Sequence, residues 1–141
     1  MIEVYHLARS AFEQLVAQAR AGFPFEVCGF VGGPQSGSGL AIRPATNVSS
    51  HPRDAYDIAP EETLAVLLGF ENRGSKITGL YHSHPNYPAR PSQVDLRLAD
   101  MPDVCYLIVG VQERGSQLEF DLRAYRISQQ KAYPVRLELI D

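Results

Sequence analysis

Tyr81-His82-Ser83-His84-Pro85-Asn86-Tyr87-Pro88-Ala89-Arg90-Pro91-Ser92-Gln93-Val94-Asp95 is the stretch on which the reading of this 141-residue chain turns. Residues 76–82 read as a central strand that feeds into it. Side chains alternate along a strand, so His82 and His84 face the same way. Two strand steps separate their Cα atoms by about 6.5–7 Å. From there both imidazoles can converge on one metal ion at about 2.0–2.1 Å each. Asp95 offers a carboxylate from the first turn of a short helix expected over residues 92–99. Three protein ligands leave a fourth position for water, the pattern of a catalytic rather than a structural zinc. Pro85, Pro88 and Pro91 restrict the intervening loop, which lowers the entropic cost of holding the third ligand in place. Ser92 and Asp95 also fit a capping box, with Ser92 as N-cap and Asp95 three residues on, and on that reading both residues only start a helix.

Outward from this stretch the elements follow from pattern and punctuation. Residues 8–21 are rich in helix formers, with Leu7, Ala11, Leu15 and Gln18 near one stripe, and Gly22 ends the run. Residues 26–32 read as a buried strand, and the turn Gly33-Pro34-Gln35-Ser36-Gly37-Ser38-Gly39 returns it along residues 40–45 as a hairpin. Residues 46–59 are polar and irregular, with 54–58 able to pair on a sheet edge. Pro60-Glu61-Glu62 opens a second helix that runs to about Asn72, proline in its first turn and acids against its positive end. Residues 104–112 and 118–127 are two strands around Glu113-Arg114-Gly115-Ser116, and 135–139 is a last one. The expected fold is α/β, a mixed β-sheet flanked by helices, in one domain over residues 1–141.

Composition narrows the function classes. Hydrophobic residues are 45% and charged residues 21% of the chain, an ordinary globular balance. A formal net charge of -3 with no basic cluster argues against nucleic acid as a partner. No apolar run reaches the roughly 20 residues that span a bilayer, and the N-terminus lacks a signal peptide's basic and apolar regions, so a cytoplasmic protein without a membrane partner is expected. Cys28 and Cys105 lie in apolar runs and read as buried thiols. No CxxC pair is present, which excludes a four-cysteine zinc site. His6 and His51 read as surface and loop residues.

The pattern Glu26 … His82-x-His84-Pro85-x6-Ser92-x-x-Asp95, with the lead-in Pro24-Phe25-Glu26-Val27-Cys28-Gly29-Phe30-Val31-Gly32, is similar to the JAMM (MPN-plus) metallopeptidase family. The likeness extends over nearly the whole chain, in the manner of a stand-alone prokaryote-type member. It implies a cytidine-deaminase-like fold and one zinc per chain on His82, His84 and Asp95. It also implies zinc-dependent hydrolysis of a peptide or isopeptide bond, at the C-terminal tail of a ubiquitin-like or sulfur-carrier protein. Zinc-bound water would be the nucleophile, Glu26 the general acid/base, and Ser92 a hydrogen-bond donor to the developing oxyanion. Asn47 and Tyr56 resemble recurring family positions beside the cleft, where they would seat a substrate tail. The alternative from another class is a non-catalytic MPN-type scaffold or protein-binding module, against which the complete ligand set counts. A zinc deaminase needs a PCxxC pair that is absent.

Overall fold

The structure is a computed structural model and describes residues 3–141. Its elements in chain order are β1 (Val4–Ala8), α1 (Arg9–Gly22), β2 (Cys28–Gly33), β3 (Ser38–Gly39), β4 (Ala41–Ala45), α2 (Pro60–Glu71), β5 (Lys76–Pro85), α3 (Gln93–Leu98), β6 (Cys105–Arg114), β7 (Gln117–Ser128) and β8 (Lys131–Ile140). The strands form one mixed sheet in the order β3-β1-β8-β7-β6-β5-β2-β4. Its first and last strands, β3 and β4, are separated in sequence by Leu40 alone, so the sheet curls until its two ends meet. Leu40 donates to the Gly32 carbonyl at 2.8 Å and His6 to that of Gly37 at 2.8 Å across this closure.

Each face of the sheet buries a separate apolar cluster. On one, Ala11, Leu15 and Ala19 of α1 pack against Tyr5, Leu7, Tyr81, Leu107 and Val109. On the other, Val66 and Phe70 of α2 pack against Phe30, Leu80 and Tyr106, with Ala99 and Met101 beyond α3 closing the layer. Strand β5 is buried from Ile77 through His84 because both faces and both edges are covered. It pairs antiparallel with β2 and parallel with β6. That double burial explains its near-continuous apolar sequence up to Tyr81. The loops at the carboxyl end of β5, beside a parallel neighbour, form the kind of crevice in which α/β sheets bind ligands.

Most expected elements are present, with three differences. Strand β1 was not foreseen, and Leu7, assigned above to the helix stripe, belongs to it. Five residues are too few for a period-two signal, and the partners of β1, on β3 and β8, are remote in sequence. Residues 54–58 pair with no strand. They are held instead by Asp57, whose carbonyl accepts from Val48 at 2.9 Å and whose N–H donates to Asn47 Oδ1 at 3.1 Å. Strand β5 runs three residues past the expected end, because Ser83, His84 and Pro85 continue the register opposite Val109, Gly110 and Val111. No helix among the described residues is long and apolar enough to cross a membrane.

Candidate metal and catalytic site

Alternation along β5 directs Leu80, His82 and His84 to the α2/α3 face, and α3 brings Asp95 over them. His82 Nε2 lies 3.0 Å from His84 Nε2 and 3.1 Å from Asp95 Oδ2, and His84 Nε2 lies 3.0 Å from the same oxygen. The three atoms form a nearly equilateral triangle of one oxygen and two nitrogens. Both imidazoles are buried, and the Asp95 side chain is nearly so. A tetrahedral zinc at about 2.0–2.1 Å from each atom needs edges of about 3.3–3.4 Å, so a few tenths of an ångström of expansion accommodates the ion.

The hydrogen-bond chemistry points the same way. His84 Nδ1 meets the Pro88 carbonyl at 2.9 Å, and a carbonyl can only accept, so that nitrogen carries the proton. When neutral, His84 therefore turns a lone pair on Nε2 toward His82 and Asp95. Burial pulls the His82 pKa down. Burial pulls on His84 as well, but hydrogen bonds to Asp95 and Pro88 outweigh it and raise that group. Burial likewise opposes ionisation of Asp95, and the hydrogen bonds from His82 and His84 outweigh it, holding the carboxyl well below the usual carboxylate range. A proton on one imidazole serves one of the three mutual contacts, whereas a divalent cation serves all of them. His82, His84 and Asp95 thus form a group able to hold one metal ion.

Asp95 Oδ2 has a further partner, the Ser92 N–H at 2.9 Å, while Ser92 Oγ accepts from the Asp95 N–H at 3.1 Å. The capping box and the ligand set therefore share one carboxylate, and the two readings of these residues are compatible. Oγ acts there as acceptor, which leaves the Ser92 hydroxyl proton free to donate elsewhere.

Glu26 lies just ahead of β2. Its N–H donates to Pro52 at 2.7 Å, its carbonyl accepts from Asn47 Nδ2 at 3.0 Å, and Val27 is bonded both ways to Ser83, N–H to Oγ at 2.8 Å and carbonyl from the Ser83 N–H at 3.0 Å. Glu26 is 6% exposed, and its Oε1 has no hydrogen-bond partner. Burial raises the Glu26 pKa to about 8, with His84 pulling it down and Asp95 and Asp54 adding to the rise. A carboxyl so tuned, with an unused oxygen, suits proton transfer near neutral pH.

Asn47 and Tyr56, expected to seat a substrate tail, differ in placement. Asn47 gives both amide protons to carbonyls, of Glu26 and Ala55, and its oxygen accepts from Ser49 and Asp57. Its amide is committed within the chain and braces Glu26. Tyr56 stacks on His82 with ring centroids 4.5 Å apart, and burial pushes its pKa well above the usual phenol value.

The residues that aim His84 were not visible in the sequence. Gly110 on β6 stands opposite His84, and a β-carbon there would meet Ala89 N at 3.0 Å and Tyr87 O at 3.1 Å. Its bare backbone lets the loop double back and present the Pro88 carbonyl. The Tyr125 hydroxyl on β7 donates to the Ala89 carbonyl at 2.7 Å. Asn86, in the left-handed region at φ 53, pins the loop's start by accepting from Glu113 at 3.0 Å. Ser83 could be assigned from alternation to the face away from the histidines, but not its grip on Val27.

Two measurements probe this arrangement. Between pH 4.5 and about 8 the folded state holds a proton on Glu26 that the unfolded chain has released, so stability falls as pH rises through that window. Glu26→Gln should therefore leave the metal-free protein more stable than wild type by as much as about 4 kcal/mol near pH 8, with the gain fading toward pH 4.5, as read by denaturant unfolding after chelation. Tyr125→Phe should weaken metal affinity about tenfold by freeing the loop that orients His84. Competition titration against a chelating dye would show this, and an unchanged dissociation constant would remove Tyr125 from the site's support.

The chain matches the model of prokaryotic homologs of the JAB domain over residues 8–128. It is 38% identical over 119 residues to the desampylase of Haloferax volcanii, covering 81% of this chain and 86% of that protein. With the CysO-cysteine peptidase of Mycobacterium tuberculosis it shares 36% identity over 115 residues, 80% of this chain and 75% of the relative. The solution structure of a protein from Desulfitobacterium hafniense superposes with a TM-score of 0.83 at 28% identity, covering 98% of this chain and 93% of that one. Shared sequence over most of its length and a shared fold establish that this chain belongs to the family of prokaryotic homologs of the JAB domain.

Proposed function

We propose that the chain is a zinc metallopeptidase, acting as one catalytic domain over residues 1–141, that hydrolyses a peptide or isopeptide bond at the C-terminal tail of a ubiquitin-like or sulfur-carrier protein. The observation that carries this reading is the convergence of His82, His84 and Asp95 within 3.1 Å of one another, in one buried setting with an unpartnered Glu26 carboxyl. The names of the two relatives, a desampylase and a CysO-cysteine peptidase, support the substrate class. Two buried free thiols, Cys28 and Cys105, support a reducing compartment, and the cytoplasm is the proposed location.

In this mechanism His82, His84 and Asp95 hold the ion. When bound, zinc supplies an acidified water and a Lewis acid for the scissile carbonyl. Glu26 takes the water's proton on its free Oε1 and passes it to the departing amine, so a water is consumed and an acid and an amine are released. Ser92 donates its hydroxyl proton to the oxygen of the carbonyl under attack. Asn47 holds the Glu26 carbonyl, and Ser83 ties the adjacent Val27 to β5. Tyr56, stacked on His82, restricts that ring and faces the incoming tail.

Zinc content by mass spectrometry is the first test. About one zinc per wild-type chain is expected and little in His82→Ala; a wild type that takes up no zinc when supplied with it would favour the scaffold reading. With a ubiquitin-like domain fused through its Gly-Gly end to a reporter, Glu26→Gln should keep its zinc and lose about 10²–10⁴-fold in kcat. Ser92→Ala should lose about 10²-fold in kcat in addition to about 1 kcal/mol of stability. A Ser92→Ala protein that loses only stability would reduce Ser92 to a helix cap.

A further inference from the structure

We propose that the cavity beside the metal group is a subsite for a long cationic side chain, arginine or lysine, carried by the substrate within a few residues of the scissile bond. The inference rests on the peptidase reading above and adds a specificity to it.

The cavity has a volume of about 530 Å³ and is continuous with the site, since Asp95 and Tyr56 line it as well. That size is typical of pockets that enclose a ligand, and it admits a long side chain with part of its backbone. The floor is one row of the sheet, Phe30, Leu80 and Tyr106, which are register partners on β2, β5 and β6. Leu80 precedes His82 by two residues on the same face of β5, so the floor begins about 6.5–7 Å from the first histidine. Met101 closes the far side, donating its N–H to the Tyr106 hydroxyl at 3.0 Å. A run of methylenes is the natural occupant of such a floor.

The rim carries the opposite chemistry. Asp57 and Asp100 both line the cavity and are exposed. Neither takes part in an ion pair among the described residues. No lysine, arginine or histidine among the described residues lines the cavity. The start of α2 reaches it at Pro60 and Thr63, and a helix N-terminus carries about half a positive charge. Two full carboxylates outweigh that half charge, and Glu61 and Glu62 already stand in the helix's first turn. The site therefore asks for an apolar stem with a positive tip, the build of arginine and lysine. A neutral side chain would satisfy the floor alone, and an acidic one would meet repulsion at the rim.

A Gly-Gly tail has no side chains at its last two positions. The cationic residue must therefore come either from just upstream in the tail or from the leaving partner just past the scissile bond. Two series of fusions of a ubiquitin-like domain distinguish these sources, one with Arg, Met or Glu immediately before Gly-Gly and one with the same residues immediately after it. In one series wild type should favour Arg over Glu by about tenfold in kcat/KM, with Met between. Asp57→Asn/Asp100→Asn should reduce that ratio to within about twofold, each single variant giving an intermediate ratio, and added salt should shrink it in wild type. No preference in either series, or a preference that survives in the double variant, overturns the proposal.

If no fusion is cleaved, the peptidase reading is what fails, and binding decides the subsite. Calorimetry of acetyl-Arg-Gly-Gly, acetyl-Glu-Gly-Gly, Gly-Gly-Arg-amide and Gly-Gly-Glu-amide on zinc-treated protein then provides the readout. Tighter binding of an arginine peptide that is lost in the double variant supports the subsite. Equal or undetectable binding of the arginine and glutamate peptides overturns it.

Discussion

The two-sided pairing of β5 is the constraint on which the rest of the site depends. Antiparallel to β2 on one edge and parallel to β6 on the other, the strand cannot shift by one residue without reversing every side chain it carries. In the register it has, Leu80, His82 and His84 face one layer, and Tyr81, among the most buried side chains in the chain, faces the other. The Tyr81 hydroxyl bonds Gln18 of α1, which in turn donates to the Cys28 carbonyl on β2. The helix behind the sheet and the strand that follows Glu26 are thereby tied to the strand that carries the histidines.

Into this apolar frame the chain introduces a small polar group that solvent does not screen. Asp95 Oδ2 is the common point: two imidazoles and the Ser92 N–H converge on it. Low local dielectric strengthens such contacts and makes any unmet group costly. Glu26 Oε1 and His82 Nδ1 are the unmet groups among the described residues. Local rules are broken at these positions and kept around them, the pattern expected where structure serves chemistry. Glu26 is held by two backbone contacts, to Pro52 and Asn47, while its Oε1 is left free, so stability is given up at the side chain and recovered along the main chain.

The loop after β5 is rigid by construction. Asn86, Pro88 and Ala89 are each bonded to a neighbouring element, through Glu113, His84 and Tyr125. Pro88, Pro91 and these anchors give a loop that orients His84 rather than one that opens and closes over it. Access to the metal group is left to the side bounded by Tyr56 and α3, where the cavity lies.

The motif and its chemical logic were legible in the sequence because they depend on local geometry. Alternation put His82 and His84 on one face, and a capping box announced Ser92 and Asp95 as the start of a helix. Helix formers, turn residues and apolar runs located most of the elements for the same reason: each signal lies within a few residues of what it specifies. What joins distant segments was not legible. The closure of the sheet through β1 and β3, the committed amide of Asn47, the bare backbone of Gly110 behind the loop and the reach of Tyr125 to Ala89 all arise when strands remote in sequence become neighbours. Residue type determined what His82, His84, Asp95 and Glu26 can do. Only the tertiary structure decided that their atoms meet, because the pairing of β5 between β2 and β6 brings them within bonding distance.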